Sequence, residues 1–336
     1  MDTSVDVIGV LGAGAWGTAL AATAARAGRQ VIIQAHEAEV ADAINRDHVN
    51  PLYLPDVMLD PAIRATTDPV EAVAADAVLA VVPAQHMRSV LRQTAQFWRR
   101  GVPAIICAKG VEHGTCALMS EVVEATLPQA IVAVLSGPSF AIEVAREMPT
   151  AVTLACADAA ARDVLPQALG TTGFRIYSSD DVIGAELGGA VKNVLAIACG
   201  IVAGRGMGDN ARAALITRGL AEMARLAAAM GARPETLTGL SGVGDLVLTC
   251  SALQSRNFSL GAALGRGERL TDVLSARTSV AEGVYSAAAV TEMARREGVV
   301  MPICFAVDSV LNEGADLDAA IAGLLARPFR PEAWGD

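Results

Sequence analysis

One lysine, Lys192, stands in an otherwise small and apolar run, GGAVKNVLAIACG, at residues 188–200. If this run is a helix, the residues three and four positions away are glycines, a leucine and an alanine, and none is an acid that could pair with the lysine. The lysine stem could lie along apolar surface with its ammonium in water. Alternatively, Lys192 lines a cleft, where its ammonium contacts a substrate and its pKa is tuned for proton transfer.

Four more side chains could contribute to the same chemistry. Lys109 directly follows an apolar segment, so it could hold an anion or a carbonyl oxygen, or it could be a solvated loop lysine. Asp245 lies among apolar residues in a polar, glycine-rich loop at residues 240–261, where it is either a site carboxylate or a helix N-cap. In the same loop Arg256 and Asn257 form a pair of donors, although Arg256 could also be a surface charge.

A glycine pattern near the start predicts a dinucleotide site. The pattern GxGxxG consists of Gly12, Gly14 and Gly17. It follows an apolar, β-branched run and precedes an alanine-rich run, and a second apolar run begins at residue 31. In a strand–turn–helix unit these glycines permit the tight turn, the approach of a pyrophosphate and close helix packing. The free N–H groups at the helix N-terminus then face the phosphates.

The end of the second predicted strand bears on the choice of cofactor. An acid there favours NAD because it can bond the ribose diol, whereas an arginine favours NADP. This chain has His36 followed by Glu37, and its next arginine is Arg46. The sequence therefore predicts NAD(H) and/or NADP(H) and leaves the preference open.

The elements that position these residues change character along the chain. Short apolar segments at residues 76–83, 102–110, 130–139, 150–156 and 174–179 are typical of strands in an α/β sheet. From Ile183 onward the strand pattern stops, and helices are expected at residues 184–203, 211–230, 259–266, 284–297 and 303–313. We predict an α/β fold with an N-terminal Rossmann-like, doubly wound sheet at residues 1–182. An all-helical, substrate-binding C-terminal domain would follow at residues 183–336.

Composition excludes several classes of protein. The 336 residues are 53% hydrophobic and 18% charged, which is typical of a globular protein. A formal net charge of −10 argues against a nucleic-acid partner. The start of the chain lacks a basic segment before its apolar run, and no uninterrupted apolar stretch reaches about 20 residues, so neither a secretory signal nor a membrane span is predicted. Scattered cysteines without CxxC indicate reduced thiols in the cytoplasm, and the four separated histidines predict no metal site.

Several long motifs resemble the bacterial type of NAD(P)-dependent glycerol-3-phosphate dehydrogenase. The stretches that carry the resemblance are GAGAWGTALA, NPLYLPD, CAKGVE, LSGPSFAIEVAREMPTAV, AELGGAVKNVLAIACGIVAG, LITRGLAEM, GLSGVGDLVLTCSALQSRN and SVAEGVYSA, and they span residues 7–310. The resemblance implies reversible hydride transfer between NAD(P)H and dihydroxyacetone phosphate, giving sn-glycerol 3-phosphate for glycerophospholipid synthesis. It implies a cytoplasmic enzyme with these small-molecule partners, and it leaves a homodimer open.

The same resemblance assigns roles residue by residue. It makes Lys192 the catalytic lysine, and it explains the small residues around Lys192 as space for substrate and nicotinamide. The chemistry of ketone reduction then favours Asp245 as an orienting partner for Lys192 and Lys109 as a second cation that lowers its pKa. The implied substrate contacts are Lys109, Gly137, Ser139, Lys192, Asp245, Ser255, Arg256 and Asn257. The implied cofactor contacts are Gly12, Gly14, Ala15, Trp16, Gly17, His36, Lys109, Ala141, Arg256, Val280 and Glu282. Ala15 replaces a serine that is frequent in the family, which removes one hydroxyl donor near the pyrophosphate. His36 replaces an arginine that is common there, so the family's usual tolerance of NADPH is not implied here.

Two other functions fit parts of the sequence. A β-hydroxyacid dehydrogenase also joins such a first domain to a helical second domain with a lysine on a helix, but its substrate carries a carboxylate. A non-catalytic NAD(H)-binding regulator would need neither Lys192 nor Asp245. The SRN donors at residues 255–257 and the complete GDLVLTC segment favour a phosphate substrate.

Overall fold

The structure, a computed structural model, describes residues 5–276 and 282–328. The chain divides into two compact units. The first unit takes the chain up to Ala108 together with Met119–Val182, and the second takes Lys109–Leu118 together with the chain from Ile183 onward. The boundary after residue 182 stays a prediction. The sequence gives no indication that Lys109–Leu118 groups with the second unit.

The first unit is built around short, mostly buried strands. Those in its described part are β1 Val7–Leu11, β2 Gln30–Gln34, β3 Val49–Asn50, β4 Leu54–Met58, β5 Ile63–Thr66, β6 Ala77–Ala80, β7 Pro103–Ile106, β8 Ile131–Ser136, β9 Thr150–Cys156 and β10 Phe174–Ser179. Its α-helices are α1 Ala15–Arg26, α2 Ala38–Asp47, α3 Pro69–Val73, α4 Ala84–Thr94, α5 Met119–Thr126, α6 Ala141–Ala145 and α7 Ala159–Leu169. A 3₁₀ turn, Ala95–Phe97, follows α4.

Eight of the strands form one sheet in the order β10-β9-β8-β7-β6-β1-β2-β5, while β3 and β4 form a separate antiparallel pair. Neighbours in the large sheet are parallel except for β8 and β9. The strand order reverses between β1 and β6, which is the topological switch point where doubly wound sheets bind ligands. The predicted fold class is therefore confirmed. The antiparallel direction of β9 was not part of the prediction.

The second unit is helical in its described part. Its helices are α8 Val182–Gly204, α9 Asp209–Ala229, α10 Pro234–Leu237, α11 Asp245–Ser251, α12 Arg256–Gly265, α13 Leu270–Ser275, α14 Glu282–Arg296, α15 Pro302–Asn312 and α16 Leu317–Leu325, with a π-helical turn at Leu240–Gly244. The expected irregular loop at residues 240–261 is wrong, because most of it is helical. Its glycine and serine content lowers helix propensity, but packing against α8 overrides that preference.

Helix α8 is the core of the second unit. Residues 184–202 are all buried, which explains why the helix is apolar on every side. Its length and hydropathy would also suit a membrane span, but 89% of the relevant window is buried inside the protein.

The glycines of α8 serve helix packing. A Cβ at Gly188 would overlap the carbonyl oxygen of Ser241, and one at Gly200 would overlap that of Phe258. Reciprocally, a Cβ at Gly261 of α12 would overlap the carbonyl of Ile197. The expectation that these small residues make space for substrate and nicotinamide is therefore wrong for Gly188 and Gly200, which let α8 approach the π-helical turn and α12.

Gly200→Ala is expected to destabilise the protein by about 1–3 kcal/mol, the usual cost of overpacking a tight contact. The new methyl group would meet backbone atoms of α12, including Ala262 N at 2.8 Å, so a whole helix must shift. Gly323→Ala in α16 is the matched control, since a Cβ there has nothing within 4 Å. It should instead stabilise by about 0.5–1 kcal/mol through helix propensity. Thermal unfolding of both variants tests this, and equal shifts would contradict it.

Candidate active site

Three predicted site residues meet in the second unit. Lys192 Nζ lies 2.6 Å from Asp245 Oδ1, and Lys109 Nζ lies 2.8 Å from Asp245 Oδ2. The ammonium of Lys192 also donates to Thr249 Oγ1 at 3.0 Å. Side-chain exposure is 1% for Asp245, 8% for Lys192 and 16% for Lys109, so a buried carboxylate bridges two lysines.

Lys109 and Lys192 are the only lysines in the whole sequence, and every other basic residue that carries a fixed charge is an arginine. An arginine stays protonated in proteins, whereas the pKa of a lysine shifts readily on burial. The chain therefore places its two adjustable cations on a single carboxylate. This arrangement suits proton transfer better than it suits a structural ion pair.

Local packing determines the position of the Asp245 carboxylate. Asp245 is the first residue of α11 and follows the π-helical turn, while Gly244 occupies the N-cap position. The alternative that Asp245 caps a helix is therefore wrong. Gly188, one turn before Lys192 on α8, lies against the Ser241 carbonyl and brings this turn close to the lysine.

The electrostatics of the cluster are set by burial. Burial lowers the pKa of Lys192, the attraction of Asp245 opposes this and the nearby Lys109 adds to it, so that the resulting pKa is about 8. Burial alone would raise the pKa of Asp245, but the two ammonium groups outweigh it and hold that pKa below its ordinary value. Asp245 is thus a carboxylate at neutral pH, and Lys192 exchanges its proton near physiological pH.

The predicted SRN residues lie at the start of α12. Ser255 is the N-cap and accepts a hydrogen bond from Phe258 N at 3.2 Å, so it has a structural role of its own. Arg256 is exposed, and Asn257 is buried with its Oδ1 accepting from Gly283 N at 3.1 Å. Glu282 begins the described part of α14, whereas Val280 lies outside the described residues.

Asn193 is a site neighbour that our sequence reasoning missed. Its Nδ2 donates to the Lys109 carbonyl at 2.8 Å, which ties the segment Lys109–Leu118 to α8. Its own carbonyl lies close to Gly283, 3.0 Å from where a Cβ would stand. Position beside Lys192 was the one available signal for Asn193. Thr249 was also missed, although it lies one helical turn after Asp245 on α11.

The glycine turn of the first unit has the geometry of a dinucleotide site. Gly12 has φ +102°, and a Cβ there would stand 2.9 Å from the Val81 carbonyl oxygen. Gly14 is the N-cap of α1, and nothing lies within 4 Å of the position its Cβ would take. The buried Nε1 of Trp16 finds no hydrogen-bond partner within the described chain. A helix N-terminus with open space in front of it and an unsatisfied donor fits a nicotinamide dinucleotide.

Asn50 supports this turn and was also missed. It is fully buried, and its Nδ2 donates to the Ala13 carbonyl and to Thr18 Oγ1, both at 2.8 Å. Tyr53, three residues later, donates its hydroxyl to Glu37 Oε1 at 2.8 Å. The β3–β4 hairpin thus braces both the glycine turn and the acid after β2. These partners are 16 to 37 residues apart in sequence, so no local pattern could reveal them.

The other predicted residues of the first unit lie at element ends. Ala15 is the first residue of α1, His36 is exposed after β2, and Ala141 is the first residue of α6. Gly137 follows β8 with φ +142°, and a Cβ there would stand 2.9 Å from Val152 Cα. Ser139 donates its hydroxyl to the Gly137 carbonyl at 3.0 Å.

Two family models match this chain. The N-terminal model of NAD-dependent glycerol-3-phosphate dehydrogenase matches residues 7–162, and the C-terminal model matches residues 181–322. The chain belongs to this family.

Individual members of the glycerol-3-phosphate dehydrogenase family are similar to this chain along nearly all of its length. The sequence is 60% identical over 337 residues to glycerol-3-phosphate dehydrogenase (NAD(P)+) of Rhodospirillum rubrum, covering 100% of this chain and 97% of that protein. The same enzyme of Maricaulis maris is 59% identical, covering 97% and 98%. The crystal structure of glycerol-3-phosphate dehydrogenase from Coxiella burnetii superposes with a TM-score of 0.92 at 40% identity, covering 97% of this chain and 100% of that one.

These comparisons confirm the resemblance to glycerol-3-phosphate dehydrogenases that the motifs predict. Roles for individual residues stay predictions, because the geometry shows which side chains meet and not what they bind. Lys109 and Lys192 each contact Asp245 directly, while Asn257 is linked to this cluster through Gly283 and Asn193.

Proposed function

We propose that the protein catalyses reversible hydride transfer between NAD(P)H and dihydroxyacetone phosphate, giving sn-glycerol 3-phosphate. The observation that carries the proposal is the buried Lys192, held by Asp245 and Thr249, in a chain of the glycerol-3-phosphate dehydrogenase family. Family membership alone supports the reaction class. The lysine cluster supplies the group that the reaction needs.

Lys192 is the proposed acid and base. When hydride adds to the ketone carbon, negative charge develops on the oxygen, and a cation aimed at that oxygen stabilises the transition state. The proton of Lys192 then completes the alcohol, and in the oxidative direction the neutral amine removes it again. A pKa of about 8 lets both forms exist near neutral pH.

Asp245 and Thr249 are the proposed positioning residues for Lys192. Asp245 Oδ1 accepts from Lys192 Nζ, and Thr249 accepts from the same ammonium while its hydroxyl lies 3.3 Å from Asp245 Oδ1. Together they fix two directions of the ammonium and leave the third donor for a substrate oxygen. Lys109 Nζ adds positive charge that keeps Lys192 easier to deprotonate.

The substrate phosphate is assigned to the start of α12. Arg256 offers a planar fork for two phosphate oxygens, and Asn257 and Ser255 lie beside it. The first backbone N–H groups of α12 and its dipole favour an anion there. Gly137 and Ser139 of the first unit complete the proposed substrate contacts.

The dinucleotide is assigned to the first unit. The glycine turn and the N-terminus of α1 would hold its pyrophosphate, and the Nε1 of Trp16 would find a partner there. Ala141, Arg256, Lys109, Val280 and Glu282 complete the proposed contacts. The bound nicotinamide supplies or accepts the hydride.

Loss of absorbance at 340 nm with NADH and dihydroxyacetone phosphate is the direct test. We expect turnover with this substrate and much slower turnover with unphosphorylated dihydroxyacetone. Reduction of a β-ketoacid in preference to the phosphate would favour a β-hydroxyacid dehydrogenase. Binding of NADH without turnover of either would favour a non-catalytic regulator.

The two directions of the reaction are expected to respond oppositely to pH. The pKa of Lys192 is lowered to about 8, so protonated lysine is lost as pH rises through that value. Ketone reduction, which needs the acid, should therefore fall above pH ~8, and alcohol oxidation, which needs the base, should rise. Measuring kcat/KM against pH in both directions gives the midpoint of each pH transition, which should lie near the pKa of Lys192.

Selective ¹³Cε labelling of lysine offers an independent measurement of that pKa. The sequence contains two lysines, so the NMR spectrum should show two side-chain signals. One of them should titrate near pH 8. Titration of both signals above pH 10 would contradict the assignment of the kinetic midpoint to Lys192.

NADH is expected to be used at least as well as NADPH at pH 8. His36 is exposed and lacks the fork of an arginine, and the half-buried Glu37 would repel a 2′-phosphate. His36→Arg should improve kcat/KM for NADPH by about 10-fold, since one charge-assisted hydrogen bond contributes ~1.5–3 kcal/mol. Glu37→Gln tests the effect of the negative charge alone, because the amide oxygen can still accept the hydrogen bond from the Tyr53 hydroxyl. A strong NADPH preference that survives His36→Ala would overturn this expectation.

The remaining parts of the proposal concern the setting of the enzyme. A cytoplasmic location fits six free cysteines, all in the described part of the chain. The net charge of −10 supports small-molecule partners and no nucleic acid. A homodimer and a supply of product to glycerophospholipid synthesis complete the proposal. Sedimentation of the purified protein would test the dimer.

A further inference from the structure

A separate cavity of about 590 Å³, partly open to solvent, lies in the helical unit and is bordered by α8, α9, α15 and α16. Its walls are mostly aliphatic, as Ile201, Leu215, Val307 and Ile321 illustrate. No residue of the candidate active site lines it. Its size falls in the range of small-molecule binding sites.

The cavity is elongated. Along α9 its lining residues run from Ala211 to Arg225, which is about 21 Å at 1.5 Å per residue. On α16 they run from Leu317 to Leu325, or about 12 Å. Helix α16 is almost entirely apolar, yet none of its residues is buried, and Leu325 is 74% exposed. A long, narrow apolar ligand would cover this helix.

Charged residues line the cavity in two places, namely Arg327 just after the end of α16 and three residues of α9. Arg218, Glu222 and Arg225 follow one another at successive turns of α9. Glu222 is already engaged, since its carboxylate accepts from the backbone N–H groups of Ile303 at 2.8 Å and Cys304 at 3.2 Å. Arg225 donates to the carbonyl of Val300 at 3.0 Å.

Arg218 differs from these two neighbours. It makes no hydrogen bond or ion pair within the residues that the structure describes. Burial raises the pKa of Glu222 to about 7, so at neutral pH its negative charge beside the cavity is only partly developed. The wall therefore presents an available guanidinium to an anionic head group.

We propose that this cavity binds a long-chain fatty acid, with its carboxylate on Arg218 and its alkyl chain along α16. A guanidinium pairs with a carboxylate through two parallel hydrogen bonds. The aliphatic walls remove the chain from water, which is the main driving force for binding such a molecule. This inference does not depend on the reaction proposed above.

Displacement of fluorescent cis-parinaric acid from the full-length protein by palmitate tests the proposal. We expect one site per chain and a Kd for palmitate at least about 10-fold lower than for the uncharged hexadecanol. Arg218→Glu should raise the palmitate Kd by at least about 10-fold. The matched control is Arg212→Glu, which makes the same charge change on α9 at a residue that pairs with Asp209 and does not line the cavity. This control variant should bind palmitate with a Kd within about twofold of that of the wild type.

A second variant keeps the test decisive if charge reversal disturbs the helix. Ala306→Phe on α15 fills the cavity from its wall and should abolish palmitate binding while dihydroxyacetone phosphate reduction persists. Unchanged palmitate binding in this variant, or no displacement by palmitate in the wild type, would overturn the proposal. So would a wild-type dimer that binds no palmitate and dissociates in Ala306→Phe, because the cavity would then be an interface between copies.

Discussion

Lys192→Ala is expected to lower kcat for dihydroxyacetone phosphate reduction by at least about 10²-fold, because one group supplies both the proton and the charge that stabilises the developing oxyanion. The KM for NADH should change little, since the glycine turn that is assigned to the dinucleotide belongs to the first unit. Folding should survive the substitution. It removes a buried charge, and Asp245 keeps Lys109 at 2.8 Å as its partner.

Lys192→Arg separates the two roles of the lysine. Arginine keeps a cation near Asp245 but cannot act as a base in proteins. The variant should retain part of the electrostatic effect in reduction and lose the rise of alcohol oxidation with pH. Thermal unfolding and NADH binding serve as controls for all variants. Near wild-type turnover in Lys192→Ala would reject the assignment of this lysine.

The parts of the fold that the sequence predicts well are those with local signals. The GxGxxG turn requires a positive φ at Gly12 and close packing at Gly17, so the pattern itself specifies strand, turn and helix. The segments at residues 150–156 and 174–179 coincide with β9 and β10 because β-branched and aromatic residues mark them. The direction of β9 depends on pairing with β8, which no local pattern encodes.

Only some residues of the candidate site can be recognised from the sequence. Lys192 is conspicuous because a lysine is costly on an apolar helix, and Asp245 is conspicuous for a similar reason. Asp245 meets Lys192 from 53 residues away and Lys109 from 136 residues away. These contacts depend on the close approach of α8 to the turn before α11 and on the hydrogen bond from Asn193 to the Lys109 carbonyl. Asn193 and Asn50 act through hydrogen bonds to distant backbone carbonyls, so residue type alone cannot distinguish them from other buried amides.

Asp245→Asn is expected to reduce kcat for ketone reduction at pH 7.5 by roughly 10- to 100-fold, by changing Lys192 and not by removing a reacting group. The carboxylate is the negative charge that opposes burial at Lys192, so without it the pKa of that lysine should fall below about 8. The amide keeps the size of the side chain and one acceptor oxygen, which limits the damage to packing. Some loss of stability is expected, since two ammonium groups would share a buried site with no counter-charge.

The pH profile distinguishes this positioning role from a merely structural one. In Asp245→Asn the midpoint for reduction should move to lower pH, and part of the lost activity should return on acidification as Lys192 regains its proton. Thr249→Val is the matched comparison, because it removes a hydrogen bond from the same ammonium, 3.0 Å away, without changing charge. It should lower kcat modestly and leave the midpoint in place. An unshifted midpoint in Asp245→Asn, with a loss of activity that only follows a loss of folded protein, would show that Asp245 holds the fold and does not tune the lysine.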